Sequence, residues 1–370
     1  EAETDAHLWA ETYDRNLEDI FAIQSEVAER IARSLRSTLT PAERSRIESR
    51  PTESVEAYQW FLKGRQLMAK RTSESIRRAI EAFDRAVGSD PRFALAWAHR
   101  AEAFALLPFY TGRDLVDSVA EARRSARRAL EIDPDLGEPH AALGLAARNL
   151  WEWDEAEREL RRALELAPGY VTARHWYGLI LNDRGRYHEA IVELEGALEL
   201  DPLSLPLHMA LGATHYRAGR YHEAERVFRR TLEFEPHAAA LYFNLAGLLL
   251  LLERYDEAIE AMEAGARFDP EKVPPALVEE VRLGYEAGGA TGFWEAYLEG
   301  HRTRPDLTGR GDEMALALTR LGRLDEAMEI AERAFDEREP HAYWIVQDPR
   351  YAPLRSHPRY PALRERLGLG

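Results

Sequence analysis

Five prolines, Pro134, Pro168, Pro202, Pro236 and Pro270, recur at a constant spacing of 34 residues. Each closes a similar run, as in "RRALEIDP", "RRALELAP", "EGALELDP" and "RRTLEFEP". Proline has no backbone N–H with which to continue a helix, and it biases the preceding residue away from helical angles. Each one therefore marks a helix end. A second break falls inside the period: "GRYHEA" occurs at 185–190 and again at 219–224, with "WEWDEA", "ERYDEA" and "GRLDEA" as near-copies. The spacing predicts two helices per 34 residues joined by short turns. Repetition of such units makes an extended surface rather than a single pocket.

Numbering each unit so that its proline is position 32 aligns the rest. Position 8 is small (Ala101, Gly144, Gly178, Gly212, Ala246), and position 20 is alanine throughout (Ala122, Ala156, Ala190, Ala224, Ala258). Position 7 is large in Leu143, Tyr177, Leu211 and Leu245, and position 24 carries Leu160, Leu194, Phe228 and Met262. Small residues at 8 and 20 let two helix backbones approach, while 7 and 24 fill the space between them. Period, small positions and terminal proline together resemble the tetratricopeptide repeat. That resemblance implies an all-α, right-handed superhelical solenoid of antiparallel helix pairs. Six units are expected over 51–270, two degenerate ones over 271–340, and a C-terminal capping segment over 341–370.

The ends depart from the pattern. Pro91 precedes Pro134 by 43 residues, one period plus nine, and the excess falls in "LLPFYTGRDLVDSV", around Pro108–Ser118. Lengthening of that helix pair is the reading taken, with closure over the groove as its alternative. Near 288–292, Gly288, Gly289 and Gly292 replace the usual turn. The proline-rich tail carries Trp344, Tyr351 and Tyr360. Covering the last exposed apolar face is its expected role, because terminal units of a solenoid need caps, and a docking peptide is the alternative. Residues 1–50 read as an incomplete strand–helix segment and linker: "DAHLWAETYDR" alternates like a strand, and Ile20, Ile23, Val27, Ile31 and Leu35 have helical spacing. This stretch resembles the closing strand and helix of the TolB amino-terminal-like domain of bacterial signalling proteins. In those proteins the resemblance implies an effector upstream, such as a cyclase, a kinase or a winged-helix regulator.

Acidic residues outnumber basic ones 65 to 49, a formal charge of −16, which disfavours grasping a phosphate backbone. Paired arginines on second helices alternate with glutamates and read as solvated ion pairs, with nucleic-acid binding the weaker alternative. The chain has no cysteine, so disulfide and thiolate chemistry are excluded and a cytoplasmic setting is expected. Its longest apolar stretch, Ala238 to Leu252, is shorter than the roughly 20 residues that cross a bilayer. The first residues show neither a secretion signal nor an initiator Met, so the chain is expected to be a piece of something longer.

No phosphate loop, dinucleotide fingerprint or zinc motif is present. "DPDLGE" at 133–138 lacks the ligand set of a calcium loop, and His208 and His215 stand two turns apart on one helix. No enzyme activity, cofactor or metal is expected. At about 100° per residue, positions 2, 5, 9, 12 and 13 of each first helix fall on one side, which the resemblance places on the concave face. Those positions give the candidate ligand groove: Tyr58, Phe61, Arg65, Arg148, Asn149, His175, Asn182, Asp183, Met209, Tyr216, Arg217 and Phe243. Aromatics, Met and Arg are enriched at interface hot spots, and Asn can bond an extended backbone. Chaperone-binding members hold a carboxylate with Lys and Asn at positions 5 and 9. Ala141, Leu145, His175, Leu179, Met209 and Ala213 stand there instead, which disfavours a chaperone tail.

The function expected is a protein-binding scaffold with a protein or peptide ligand. Its alternative is a regulatory or self-association module, since an unpaired strand at 6–13 would invite pairing with a second copy.

Overall fold

The computed structural model describes residues 50–111, 115–304, 307, 310–337, 339 and 342–368. The strand and helix expected within 1–50 lie outside the described residues, apart from Arg50. Helices α1 (Val55–Met68) and α2 (Ser73–Ser89) form the first pair, and α3 (Ala94–Thr111) and α4 (Leu115–Ile132) the second. The regular units follow: α5 (Gly137–Asn149) with α6 (Trp153–Leu166), α7 (Val171–Asp183) with α8 (Tyr187–Leu200), α9 (Leu205–Arg217) with α10 (Tyr221–Phe234), and α11 (Ala239–Leu251) with α12 (Tyr255–Phe268). Helix α13 (Pro275–Arg302) breaks at Gly289 (φ 58°, ψ −144°) into the two arms of a seventh pair. Helices α14 (Arg310–Arg320) and α15 (Leu324–Asp336) make the eighth. A short α16 (Trp344–Gln347), a 3₁₀ stretch (Pro349–Ser356) and α17 (Tyr360–Arg366) close the described chain. No strand occurs among the described residues.

The "R-x-x-E" repeated at the start of α8, α10, α12 and α15 has a local cause. Arg186 bonds Glu189 twice at 2.7 and 2.6 Å, and Arg254 grips Glu257 in the same way. Each arginine also reaches back one unit, Arg186 to Glu157 and Arg254 to Glu225. A planar guanidinium suits such forked contacts. The motif thus starts a helix and ties it to its predecessor in one side chain.

The turn before the second helix is left-handed in the third to sixth units and in the eighth. Gly185, Gly219 and Gly322 lie at φ 74–75°, and the equivalent Trp151 and Glu253 at 63° and 60°. A side chain there is strained by about 1–2 kcal/mol, partly offset by the entropy a glycine loses on folding. The Glu253 side chain is 74% exposed and makes only a solvent-screened pair with Arg320 at 3.5 Å. Glu253→Gly is therefore expected to raise stability by about 0.5–1 kcal/mol, readable as a higher urea midpoint.

Between the helices of each pair, residues at positions 7 and 8 are buried as the spacing requires. Leu143, Tyr177, Leu211 and Leu245 are all buried. A Cβ on Gly144 would sit 2.5 Å from Leu160, and one on Gly212 would run into the Phe228 ring. In the second pair the nine extra residues lengthen α3 and α4 to 18 residues each, against 13–14 in the regular units; positions 112–114 are outside the described residues.

Successive first helices touch one another, α3 with α5, α5 with α7, α7 with α9 and α9 with α11, whereas successive second helices are not in comparable contact. The array therefore curves with its first helices inside. It curves far enough to meet itself: the Trp151 ring lies 5.3 Å from that of Phe335 on α15, and Trp153 Nε1 donates to the Leu367 carbonyl.

Candidate functional site

The inner face is assembled from the C-terminal ends of α5, α7 and α9. Arg148, Asp183 and Arg217 come from consecutive units, and the period places them side by side. Arg148 Nε donates to Asp183 Oδ2 at 2.6 Å, and Arg217 Nη1 to Asp183 Oδ1 at 3.0 Å. The Asp183 side chain is fully buried between them. Burial opposes the charge of Arg148, but Asp183 and the Tyr343 hydroxyl hold its pKa above the ordinary arginine value. The Arg148 guanidinium also lies between two rings, 5.4 Å from Phe109 and 5.6 Å from Tyr343. Phe109, from the lengthened α3, thus borders a small hollow with Leu115, Asn149, Trp151 and Trp153.

This face is already in use by the chain itself. Arg148 Nη2 donates to the Tyr343 hydroxyl at 3.0 Å. The Gln347 carboxamide is held at both ends, accepting from Arg217 at 2.9 Å and donating to the Asp183 carbonyl at 2.8 Å. That carbonyl ends α7 and has no helical partner of its own. Tyr216 donates to Asp348 Oδ1 at 2.7 Å, and Arg350 pairs with the other carboxylate oxygen at 2.8 Å. Burial and the nearby Asp348 push the Tyr216 phenol well above its ordinary pKa. Against the upward push of burial, Arg350 and Tyr216 keep the Asp348 carboxyl below the usual range. Further along, Tyr351 donates to the Asp312 carbonyl at 2.5 Å, so the tail also lies against the eighth pair.

Arg148, Asp183, Tyr216 and Arg217 are thus brought together. Other residues of the expected groove are elsewhere. Tyr58 and Phe61 are 6% and 3% exposed, in an aromatic cluster with Phe93, and Phe61 also packs on Phe83. They form core rather than groove, because residue Phe93 at the head of the next unit covers that side of α1. Arg65 is exposed, 5.8 Å above the Phe61 ring. Asn149 turns its Nδ2 to the Ala105 carbonyl at 2.8 Å, joining α5 to α3. Asn182 is buried, and its Oδ1 has no hydrogen-bond partner among the described residues. Met209 packs on the main core. Phe243 lies over Gly265 within its own pair.

His175 is half-buried, and burial together with the positive charges of Arg71 and Arg148 pushes its pKa down to about 3. Between pH 6.5 and 3 the unfolded chain takes up a proton at this site that the folded chain does not. Stability is therefore complete above pH 6.5 and falls as the pH drops toward 3, by up to about 1.4 kcal/mol per unit. Between pH 7.5 and 5 the wild type is expected to lose about 2 kcal/mol more than His175→Gln, read from urea midpoints at the two pH values.

A second polar cluster escaped the sequence reading. Glu102 is 4% exposed, lies 2.7 Å from His99 Nδ1 and accepts from the Tyr170 hydroxyl. Against the upward push of burial, His99 and Tyr170 hold its carboxyl below the ordinary value. Glu102 occupies position 9 of its unit, so the register that defined the groove contained the signal. Among the described residues no group of three or more His, Asp or Glu is placed to hold a metal ion. His208 contacts the Pro202 carbonyl at 2.9 Å, and Asp133 Oδ1 accepts from the Asp135 N–H in a plain turn.

Residues 65–136, 141–204 and 209–272, together more than half of the chain, match a family model of the tetratricopeptide repeat, and a second such model matches 181–234. Over 154 residues the chain is 36% identical to a protein of Rhizobium meliloti (strain 1021) named "Putative adenylate cyclase 3", covering 41% of this chain and 26% of that one. The chain thus spans about a quarter of that relative. Among solved structures, a monomeric IFIT1 mutant with m7Gppp-AAAA is similar in fold at a TM-score of 0.57 and 16% identity, over 86% of this chain and 75% of that one. TTC0263, a thermophilic TPR protein of Thermus thermophilus, is 21% identical over 52% of this chain and 99% of its own, at a TM-score of 0.45.

Proposed function

The chain belongs to the tetratricopeptide repeat family, and from that premise we propose that it is a non-enzymatic scaffold whose inner face receives a peptide or protein segment. One observation carries this reading. The ends of three consecutive first helices hold a stretch of polypeptide, residues 343–348, through the side chains of Arg148, Tyr216 and Arg217 and the Asp183 carbonyl. A face that holds one segment in this way has the donors and the aromatic surface to hold another. The positively charged members of the face are few, and the net charge of −16 opposes a polyphosphate ligand. Capture from native lysate with the wild-type chain beside Tyr216→Phe/Arg217→Ala tests the reading. A protein retained by the first and lost by the second supports it, and equal retention by both sinks it.

A second reading is favoured by the relative named as an adenylate cyclase, of which this chain covers 26%. Here the array serves as a regulatory module for an effector in a longer polypeptide, and copies associate through the first fifty residues. Light scattering on the full chain and on a version lacking residues 1–50 decides the second point. A monomer in both forms removes self-association.

A further inference from the structure

The paired arginines of α4 have no part in the inner face. They stand on the outer side of the array, where successive second helices are not in comparable contact with one another. The insertion makes α4 18 residues long, against 14 in α6, and a groove of about 860 Å³ runs along it. Arg123, Arg124, Arg127 and Arg128 line its middle. Val116, which is 66% exposed, and Leu150 give one end an apolar wall, and Trp97 does so at the other. The indole of Trp97 is fixed there, its Nε1 donating to the Pro91 carbonyl at 3.1 Å. Of the four arginines, Arg123 is tied to Glu152 and Glu155 of the next unit. Arg124 and Arg128 pair along their own helix with Glu121 and Glu131, in exposed contacts that a ligand can replace at little cost. Arg127 is exposed and makes no hydrogen bond or ion pair among the described residues. Arg123 and Arg127 are four residues apart, as are Arg124 and Arg128, so each couple is separated by about 6 Å along the helix. Carboxylates four apart on a helix, or two apart on an extended segment at about 7 Å, match that interval.

We propose that this groove is a second docking site, which takes an acidic peptide segment of a partner protein. The segment carries carboxylates at that interval, flanked by apolar side chains that cover Val116 and Leu150 at one end and Trp97 at the other. Charge selects the class. Asp117, Glu121 and Glu131 on α4, with Glu152 and Glu155 beside it, border the arginines. A phosphate backbone is charged at every residue and would bring phosphates against those carboxylates. A peptide places its acidic groups only where the arginines stand and its apolar groups on the walls. The site lies on the opposite side of the array from the inner face, so it goes beyond the reading above and neither depends on the other.

The probe is a fluorescein-labelled peptide, Leu-Glu-Glu-Ala-Ala-Glu-Glu-Leu, followed by anisotropy against the full chain at low salt. Arg124→Glu/Arg127→Glu reverses two exposed charges in the groove, and Val116→Ser removes apolar surface at its end. Arg226→Glu/Arg230→Glu makes the same charge change at exposed positions of α10 and is the control. Thermal melts establish that each remains folded. The expected result is binding to wild type and to the α10 control, weaker by at least about 10-fold in Arg124→Glu/Arg127→Glu and by about 3-fold in Val116→Ser. The same peptide with glutamine for glutamate is expected not to bind. Undiminished binding to Arg124→Glu/Arg127→Glu, no binding to wild type, or an equal loss in the α10 control overturns the site, as does equal binding of the glutamine peptide. Displacement of the probe by a uridine oligonucleotide at lower concentration than by unlabelled peptide overturns the peptide class. None of these outcomes touches Tyr216 or Arg217, so the inner face is judged by the capture experiment alone.

Discussion

Asp183→Ala is expected to destabilise the fold by about 3–5 kcal/mol, the cost of leaving a buried charge without its partner. Here two charges are left. Arg148 and Arg217 both donate to this carboxylate, their side chains are 7% and 10% exposed, and that of Asp183 is wholly buried. Neither arginine can shed its proton at accessible pH, so the penalty cannot be relieved by titration. Asp183→Asn keeps one acceptor and removes the charge, and is expected to fall between alanine and wild type. Glu189→Ala, which breaks the Arg186 pair on a side chain 55% exposed, is the control and should change stability far less than either Asp183 variant. Urea unfolding of the three variants measures this. A loss below about 1 kcal/mol for Asp183→Ala would mean that water reaches the arginines once the carboxylate is gone.

The second large effect lies between helices α9 and α10. Phe228 is 1% exposed, and its ring lies where a Cβ on Gly212 would be. Phe228→Ala is expected to cost about 3–5 kcal/mol, from lost burial and the cavity left behind. Gly212→Ala is expected to cost about 1–3 kcal/mol from overpacking. Together the sites are coupled, because each fills the space that the other leaves. The sixth unit shows the solution: Ala246 there stands with the unbranched Met262 at the matching positions, both buried. Gly212→Ala/Phe228→Met should therefore be more stable than the sum of its single changes predicts. Additive losses in thermal melts would show that the two positions do not share one space.

The helix pairs were legible because their causes are local. Proline at position 32, a left-handed turn at position 15 and small residues at 8 and 20 act within one unit or between neighbours. The same reasoning failed where a neighbouring side chain covers or redirects a groove position. Tyr58 and Phe61 carry groove positions, yet Phe93 at the head of the next unit packs against both and makes them core. Phe243 holds position 5 but lies over Gly265: in the sixth unit a glycine on the second helix leaves space for a ring. At positions 12 and 13 of the middle units, helical phase alone put Arg148, Asp183, Tyr216 and Arg217 on one side. It could not pair them, since a phase angle says nothing about distance across units.

By itself the sequence determined the all-helical repeat, the two helices per unit and the face on which each first helix is small. All of these follow from contacts within about one 34-residue period. Only the tertiary structure decided that Trp151 would meet Phe335 and that Arg148, Arg217 and Tyr216 would close on Tyr343, Gln347 and Asp348. Those contacts to the tail span 130 to 195 positions. They depend on the small rotation between units, summed over the whole array and over the irregular hairpin at Gly289. No single unit encodes that sum, so the tail's place on the inner face appears only when every unit is in position.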